Sequence, residues 1–488
     1  MRDDGPAVRE ITAAVYVIPL DAPEADGTLT WDQTTMVLVC ARAGTARGIG
    51  WTYAAAAAQN VIADVLAGAV LGRSALDVPA AAEAMARAVR NIGRPGIAAT
   101  AISAVDIALW DLKARLLGST VAGLLGQARD GVPVYGSGGF TSYDDGQTRE
   151  QLAGWVGKDR IPRVKIKIGE SWGTRADRDL ERVALAREVI GPDAELYVDA
   201  NGGYTAGQAV RVADRLTEYG VTWFEEPVSS QDLAGLAAVR RQVRPDVAAG
   251  EYSWSLADSA RLIDAGAVDC LQLDVTRCGG ITEFLRGSAL AAARNLQVSG
   301  HCAPNLHARV GIAVPNLRHV EYFHDHQRIE RMLFDGALDP AGGILTPDPD
   351  QPGLGLTLRE PDAERYRRGL RAARGREARG GEGGFGQCVG QRGPAPGPVG
   401  SGQEHHRRRM DGVDLPARRE HRGPRRDGGQ RRLDQVPGTE QLRYPAGPSA
   451  GDPPGGQADR PAGRQDQRGP VDCPAQLERS AADWHGPV

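Results

Sequence analysis

The apolar pattern changes character along the chain. Residues 8–20 and 35–41 (Thr35-Met-Val-Leu-Val-Cys-Ala41) are runs suited to strands, and alanine-rich stretches at 54–71 and 79–91 are suited to helices. Ile102, Val105, Leu109, Leu112 and Leu116 then recur at steps of three and four, which places one apolar stripe along a helix. An α+β domain is predicted over residues 1–130. After Val132-Pro-Val-Tyr135 short apolar runs alternate with amphipathic stretches at 177–190, 206–219, 231–243, 255–266 and 280–294. That alternation predicts parallel strands joined by crossover helices over residues 131–350.

The short runs end in a consistent way. Arg163-Val-Lys-Ile-Lys-Ile168, Glu195-Leu-Tyr-Val-Asp199, Val221-Thr-Trp-Phe-Glu225, Val247-Ala-Ala-Gly-Glu251, Cys270-Leu-Gln-Leu-Asp274, Gln297-Val-Ser-Gly-His301 and Arg318-His-Val-Glu321 nearly all finish in, or carry near their end, an ionisable residue. Charge is costly inside a packed parallel sheet, so a series of charged strand ends implies side chains converging on one rim. An open doubly wound sheet also binds ligands beyond its strand ends, but so many contributing strands fit a closed ring better. The expected fold is therefore α/β: a (β/α)8-type barrel, with its site at the C-terminal rim, an N-terminal α+β capping domain, and residues 351–370 returning to the cap.

Composition separates off the remainder. Residues 371–488 carry 20 Arg, no Lys and no Ile, with a net charge of +5 against −9 for residues 1–370. So few apolar side chains cannot offset the entropy of ordering, and a disordered Arg/Gly/Pro-rich tail is predicted. The same composition reads like a GC-rich gene translated out of frame past a folded domain ending near Arg368. Acidic residues among the arginines argue against nucleic acid as a partner. No apolar run reaches the roughly 18 residues of a membrane span, and residues 1–20 lack the features of a signal peptide, so a cytoplasmic protein is expected. The six cysteines (Cys40, Cys270, Cys278, Cys302, Cys388, Cys473) show no paired spacing and read as free thiols.

Asp199, Glu225 and Glu251 close successive strands at equal spacings, so barrel closure sets three carboxylates side by side. For any one of them, helix capping or pairing with arginine is the ordinary explanation. Three together repel unless a cation joins them, and an all-oxygen set suits Mg²⁺ better than Zn²⁺. Glu226 follows Glu225 and is expected to point outward to a salt bridge. Lys165 and Lys167 share one face of a strand, and a lysine beside a metal and a second cation has the lowered pKa of a general base. Asp274 and His301 end neighbouring strands, where the carboxylate would fix the imidazole tautomer. Glu321 ends the next strand and would donate a hydrogen bond to developing negative charge, its alternative being a pairing with Arg318 or His324.

These residues resemble the mandelate racemase subgroup of the enolase superfamily, over about residues 8–370. The likeness rests on the Lys-Ile-Lys strand, Val-Asp-Ala-Asn-Gly at 198–202, Trp-Phe-Glu-Glu-Pro at 223–227, Ala-Gly-Glu at 249–251, Asp274 with Gly279-Gly-Ile-Thr282, His301, Glu321, and the helix Ser103-Ala-Val-Asp-Ile-Ala-Leu-Trp-Asp-Leu112. The resemblance implies Mg²⁺ on Asp199, Glu225 and Glu251, with Asn201 assisting nearby. It implies that Lys165 meets the substrate carboxylate, Lys167 and His301 serve opposite faces, Asp274 orients His301, and Glu321 donates to an enediolate. The reaction so implied is abstraction of the proton α to a carboxylate, followed by dehydration of a sugar acid to a 2-keto-3-deoxy acid, or by racemisation or epimerisation. A barrel that has lost activity and only binds is the reading from another class. The polar stretch at residues 20–33, with Trp51 and Tyr53, is expected to set specificity or else to be a solvated loop, and its polarity favours a polyhydroxylated acid. His307 and Arg309 are expected either to reach the substrate's distal end or to cap helices. Cycloisomerases are expected to resemble the chain less well, because they carry a Lys where this chain has Asp274 and His301. Family members are often oligomers, so a homo-oligomer is implied.

Overall fold

The computed structural model describes residues 5–368. The tail 371–488, with Cys388 and Cys473, lies outside them. Strands β1 (Glu10–Ala25), β2 (Thr30–Ala43) and β3 (Ala46–Tyr53) form an antiparallel sheet. Residues 20–33 are therefore the tip of a β-hairpin rather than a loop. The tip is seated on the barrel: Thr141 donates its backbone N–H to Ala25 O at 2.8 Å, and Trp172 donates its own to Gly27 O at 2.9 Å. The expected helix over 54–71 is Ala58–Val61 and Ala67–Val70 flanking a π-helical turn, Ile62–Leu66.

The helix Ile97–Leu116 joins the cap to the barrel. A single apolar stripe is expected, yet the helix is buried on nearly every face. Small residues explain this: alanines 98, 99, 101, 104 and 108 let neighbours close in on all sides. On β3, a Cβ at Gly50 would stand 2.4 Å from Ala104 O, and one at Gly48 2.3 Å from Ala108 O. Its other side meets the barrel helix Gly280–Ala292, where Asp106 accepts from the Thr282 hydroxyl at 2.6 Å and backbone N–H at 3.0 Å.

Strands β4 (Val132–Gly138), β5 (Arg163–Lys167), β6 (Glu195–Asp199), β7 (Val221–Glu225), β8 (Asp246–Ala249), β9 (Cys270–Leu273), β10 (Gln297–Gly300) and β11 (Leu317–Phe323) pair in sequence order, all parallel. Pairing of β11 with β4 closes the ring. The protein is a closed (β/α)8-type barrel with an N-terminal α+β cap. The chain then returns to the cap, where Arg368 N–H donates to Val15 O at 2.8 Å. Cys40, Cys270, Cys278 and Cys302 are free and buried. Among the described residues no helix is long and apolar enough to cross a membrane.

Candidate active site

In-register pairing of β6 and β7 sets Asp199 directly beside Glu225. Glu251 follows Gly250, whose φ of 133° and whose closeness to Gln272 O (2.5 Å from a would-be Cβ) admit only glycine. All three carboxylates are buried, and one oxygen of each lies within 4.8 Å of the others. Glu225 is held from two sides: Lys165 Nζ donates to Oε1 at 2.5 Å, while Trp223 Nε1 and Gln272 Nε2 donate to Oε2 at 2.9 and 3.0 Å. Burial, then the charge of Asp199, pushes the Glu225 carboxyl well above its usual range. Burial acts on Asp199 in the same direction, but Lys167 and Lys165 outweigh it and its pKa is lowered.

Glu251 Oε2 and Asn201 Oδ1 are buried with no hydrogen-bond partner. Three converging carboxylates, one with an unsatisfied oxygen, beside an unsatisfied amide oxygen and with no sulfur or nitrogen in the trio match a hard divalent cation. The outward placement expected for Glu226 is not met. It is 2% exposed, its Oε1 has no partner, and burial with the charge of Glu251 drives its pKa up. Strand alternation stops at Glu225: Glu226 turns to a φ of 36°, which folds its side chain back towards the acids.

Lys165 and Lys167 do point to one face. Lys167 Nζ donates to Asp199 Oδ2 at 2.5 Å, and Lys165 Nζ also lies 2.8 Å from Glu321 Oε1. The lowered lysine pKa expected from the sequence is not met among these carboxylates. Burial lowers both, but Glu225 and Glu321 around Lys165 and Asp199 beside Lys167 outweigh it, so both are raised. Neutralisation of the acids by a cation is what would release that hold.

Across the rim, His301 Nδ1 lies 2.8 Å from Asp274 Oδ2, and its Nε2 lies 3.3 Å from Glu251 Oε2. Asp274 also accepts from Thr276 N–H and hydroxyl, both at 2.7 Å, on its other oxygen. Although burial raises its pKa, the hydrogen bond and charge of His301 bring it below the usual carboxylate range. Glu321 pairs with neither Arg318 nor His324. Ser137 donates to its Oε1 at 2.6 Å and Cys302 N–H to its Oε2 at 2.8 Å. The donor role expected for it is not met in this arrangement: burial raises its pKa, but the charges of Lys165 and His301 outweigh it and hold it well below the usual carboxylate range, so both oxygens accept.

Four expected residues sit elsewhere. Trp51 is fully buried and stacked on Phe334 at 4.6 Å, a core contact between the cap and the segment that follows the last barrel helix, His324–Leu333. Tyr53 stacks on His326 at 3.5 Å and donates to Glu330, sealing the seam between cap and barrel. His307 accepts from Val275 N–H through Nε2 and contacts Cys302 O through Nδ1, so it braces two rim loops. Arg309 spends its guanidinium on the Asn305, Leu354 and Gly336 carbonyls. Neither reaches for a ligand, because each is saturated by backbone partners.

Sequence reasoning missed Gln272, Trp223, Arg277, Ser137 and Cys302. Arg277 donates to Glu251 Oε1 at 3.1 Å and lies 3.4 Å from Asp274 Oδ2, linking the two acids. Gln272 is two residues before Asp274 on the same strand face, a period-two signal that was available. Nothing in the spacing marks Ser137 or Arg277.

A family model described as the mandelate racemase / muconate lactonizing enzyme N-terminal domain matches residues 11–126, and one described as enolase C-terminal domain-like matches residues 147–363. A mandelate racemase/muconate lactonizing enzyme-like protein from Rubrobacter xylanophilus is 50% identical, with a TM-score of 0.72 over 74% of this chain and 100% of that one. The L-talarate/galactarate dehydratase of Salmonella typhimurium is 30% identical over 370 residues, 73% of this chain and 90% of that protein. Its crystal structure liganded with Mg and L-lyxarohydroxamate gives a TM-score of 0.69 at 28% identity, over 75% of this chain and 94% of that one. The D-galactarolactone cycloisomerase of Agrobacterium fabrum is 29% identical over 366 residues, 71% of this chain and 95% of that protein. The expectation that cycloisomerases resemble the chain less well is thus not met in overall identity. A change of chemistry at one or two strand ends leaves the scaffold, which dominates identity, untouched.

Proposed function

The chain belongs to the mandelate racemase and muconate lactonizing enzyme family of the enolase superfamily, and from that premise we propose that it dehydrates a sugar acid to a 2-keto-3-deoxy acid. The observation that carries this reading is the placing of two proton-transfer groups at the two ends of one carboxylate trio. Lys167 lies against Asp199, and His301, backed by Asp274, lies against Glu251. The cofactor is Mg²⁺, which Asp199, Glu225 and Glu251 would hold, and when bound it supplies positive charge that stabilises the negative charge developing as an α-proton leaves a carboxylate.

This chain's residues do the rest. Lys165 receives the substrate carboxylate, Lys167 Nζ accepts the α-proton, and Glu321, once protonated, donates to the enediolate oxygen. His301 Nε2 then protonates a departing β-hydroxyl, with Asp274 holding Nδ1–H so that the reacting nitrogen faces the substrate. The relatives named as dehydratases of talarate and galactarate support a polyhydroxylated acid.

A second reading has its own support. A racemase from Streptomyces coelicolor with bound magnesium is 29% identical with a TM-score of 0.70, and bases at both ends of the trio suit return of the proton from the opposite face. Solvent exchange in D₂O with Mg²⁺ and a panel of sugar acids, read by NMR and by a keto-acid assay, separates the two. Exchange with keto acid, lost in Lys167→Ala and His301→Asn, is the expected result. Exchange without keto acid favours racemisation or epimerisation. Mg²⁺ binding with neither signal across the panel would leave a barrel that binds without catalysing.

A further inference from the structure

Cys302 occupies a place that the proposed reaction does not use. Its Sγ lies 3.3 Å from His301 Nε2, and the backbone that aims it there is left-handed at both Cys302 (φ 53°) and Ala303 (φ 38°). Glu321 Oε2 lies 3.6 Å from the same nitrogen, so imidazole, thiol and carboxylate converge, with one donor atom of each within 4.8 Å of the others. All three side chains are buried.

The two distances to His301 Nε2, 3.3 and 3.6 Å, are those of neighbouring ligands in a tetrahedral zinc site. With Zn–N and Zn–O bonds of about 2.0–2.1 Å and a Zn–S bond of about 2.3 Å, neighbouring ligand atoms stand roughly 3.3–3.6 Å apart. The surroundings are also those of a metal-bound histidine. The other ring nitrogen, Nδ1, is 2.8 Å from the Asp274 carboxylate, which fixes the tautomer and strengthens Nε2 as a ligand. Glu321 Oε1 is taken by Ser137 and Lys165, while Oε2 accepts the Cys302 backbone N–H at 2.8 Å, which holds it beside the thiol and imidazole with its second lone pair left for a metal.

We propose that His301, Cys302 and Glu321 form a second, inhibitory metal site for a borderline-soft divalent cation such as Zn²⁺, distinct in chemistry from the all-oxygen trio. As the metal–sulfur bond forms, the thiol proton leaves to solvent, and no electron is transferred. The two neighbouring sites sort cations by softness: Mg²⁺ has no affinity for a thiolate, whereas Zn²⁺ and Co²⁺ do. Occupation takes the Nε2 lone pair of His301, so that nitrogen can no longer carry a proton. Inhibition rests on the reading of His301 as an acid or base; metal binding does not.

The test uses the full chain with saturating Mg²⁺ and Co²⁺ as the spectroscopic probe. One equivalent of Co²⁺ should produce a near-ultraviolet thiolate-to-cobalt charge-transfer band that is absent in Cys302→Ser. His301→Asn keeps the thiol and should weaken cobalt binding at least about tenfold, as loss of an inner ligand demands, so a Cys302→Ser protein that failed to fold would not spare the proposal. No band in the unsubstituted chain, a band of full intensity in Cys302→Ser, or unchanged affinity in His301→Asn overturns the site. In the exchange assay Zn²⁺ should inhibit, with the half-inhibiting concentration raised at least about tenfold in Cys302→Ser. Equal sensitivity of the two proteins would overturn the inhibitory role. Should no sugar acid be turned over, the cobalt band decides the site independently of the reaction.

Discussion

Glu225 illustrates how one side chain acquires its role from its neighbours. It is a buried carboxylate with one oxygen on Lys165 and the other fixed by Trp223 and Gln272. Gln272→Leu removes one donor from a buried acid while conserving much of the volume. Partners of this kind typically sustain about 10–100-fold in metal affinity, so Mg²⁺ binding by calorimetry should weaken by about that factor, with turnover recovered at saturating Mg²⁺. An unchanged affinity would show that Trp223 and Lys165 suffice to hold the carboxylate. Residue chemistry at the strand ends was legible because three acids, two lysines and an Asp–His pair each repeat a position. Glu226 and Cys302 were not, because both take positive φ one residue beyond a strand end or rim position, where alternation no longer tells which way a side chain points. Trp51 misled for another reason: a large aromatic near a predicted rim reads as a pocket wall until Phe334, just past the last barrel helix, is seen to cover it.

At the scale of elements, the strands ending in charge were placed to within a residue or two, since alternating β and α periods leave little freedom. The hairpin tip at 20–33 was not legible. Its polar residues are paired within the tip and across to the barrel, as in Trp31 Nε1 donating to Glu24 at 3.0 Å, and polarity alone reads as a loop. The seating of the cap yields two predictions. Gly50→Ala would drive a Cβ to 2.4 Å from Ala104 O and Ala108 N on the helix Ile97–Leu116, backbone that cannot give way like a side-chain tip. Overpacking of this kind costs about 1–3 kcal/mol, to be read as a lower urea midpoint. The second concerns pH. His326 is stacked on Tyr53 at the cap seam and accepts from Ala303 N–H, and burial lowers its pKa to about 3. An unfolded histidine titrates near about 6.5, so between those values the unfolded chain binds the extra proton. This group's contribution to stability is therefore present above about pH 6.5 and is lost as pH falls towards 3. His326→Gln should flatten the fall in unfolding free energy across that window; an unchanged slope would assign the loss to the carboxylates.

The whole molecule divides by charge and by core. Residues 1–370 carry a net −9 and residues 371–488 a net +5. Every buried apolar side chain among the described residues falls between Val8 and Ala363, and the second of the two family matches ends at 363. The last backbone hydrogen bonds close the unit on itself: Val17 N–H donates to Tyr366 O and Arg368 N–H to Val15 O, both at 2.8 Å. A chain ending at Arg368 keeps each of these contacts, all eight barrel strands and every residue assigned a part in the reaction. Stability depends on the buried backbone and side chains retained, not on length as such. The shortened chain should therefore melt at the same temperature as the full one and show the same Mg²⁺-dependent exchange. Losing the basic segment should alter only what depends on long-range charge, so any salt-sensitive binding of nucleic acid by the full chain should vanish with it. A shortened chain that folds and binds Mg²⁺ but loses exchange would assign residues beyond Arg368 a part in catalysis. One that loses nucleic-acid binding, and whose full-length parent never showed exchange, would turn the assignment towards a binding protein.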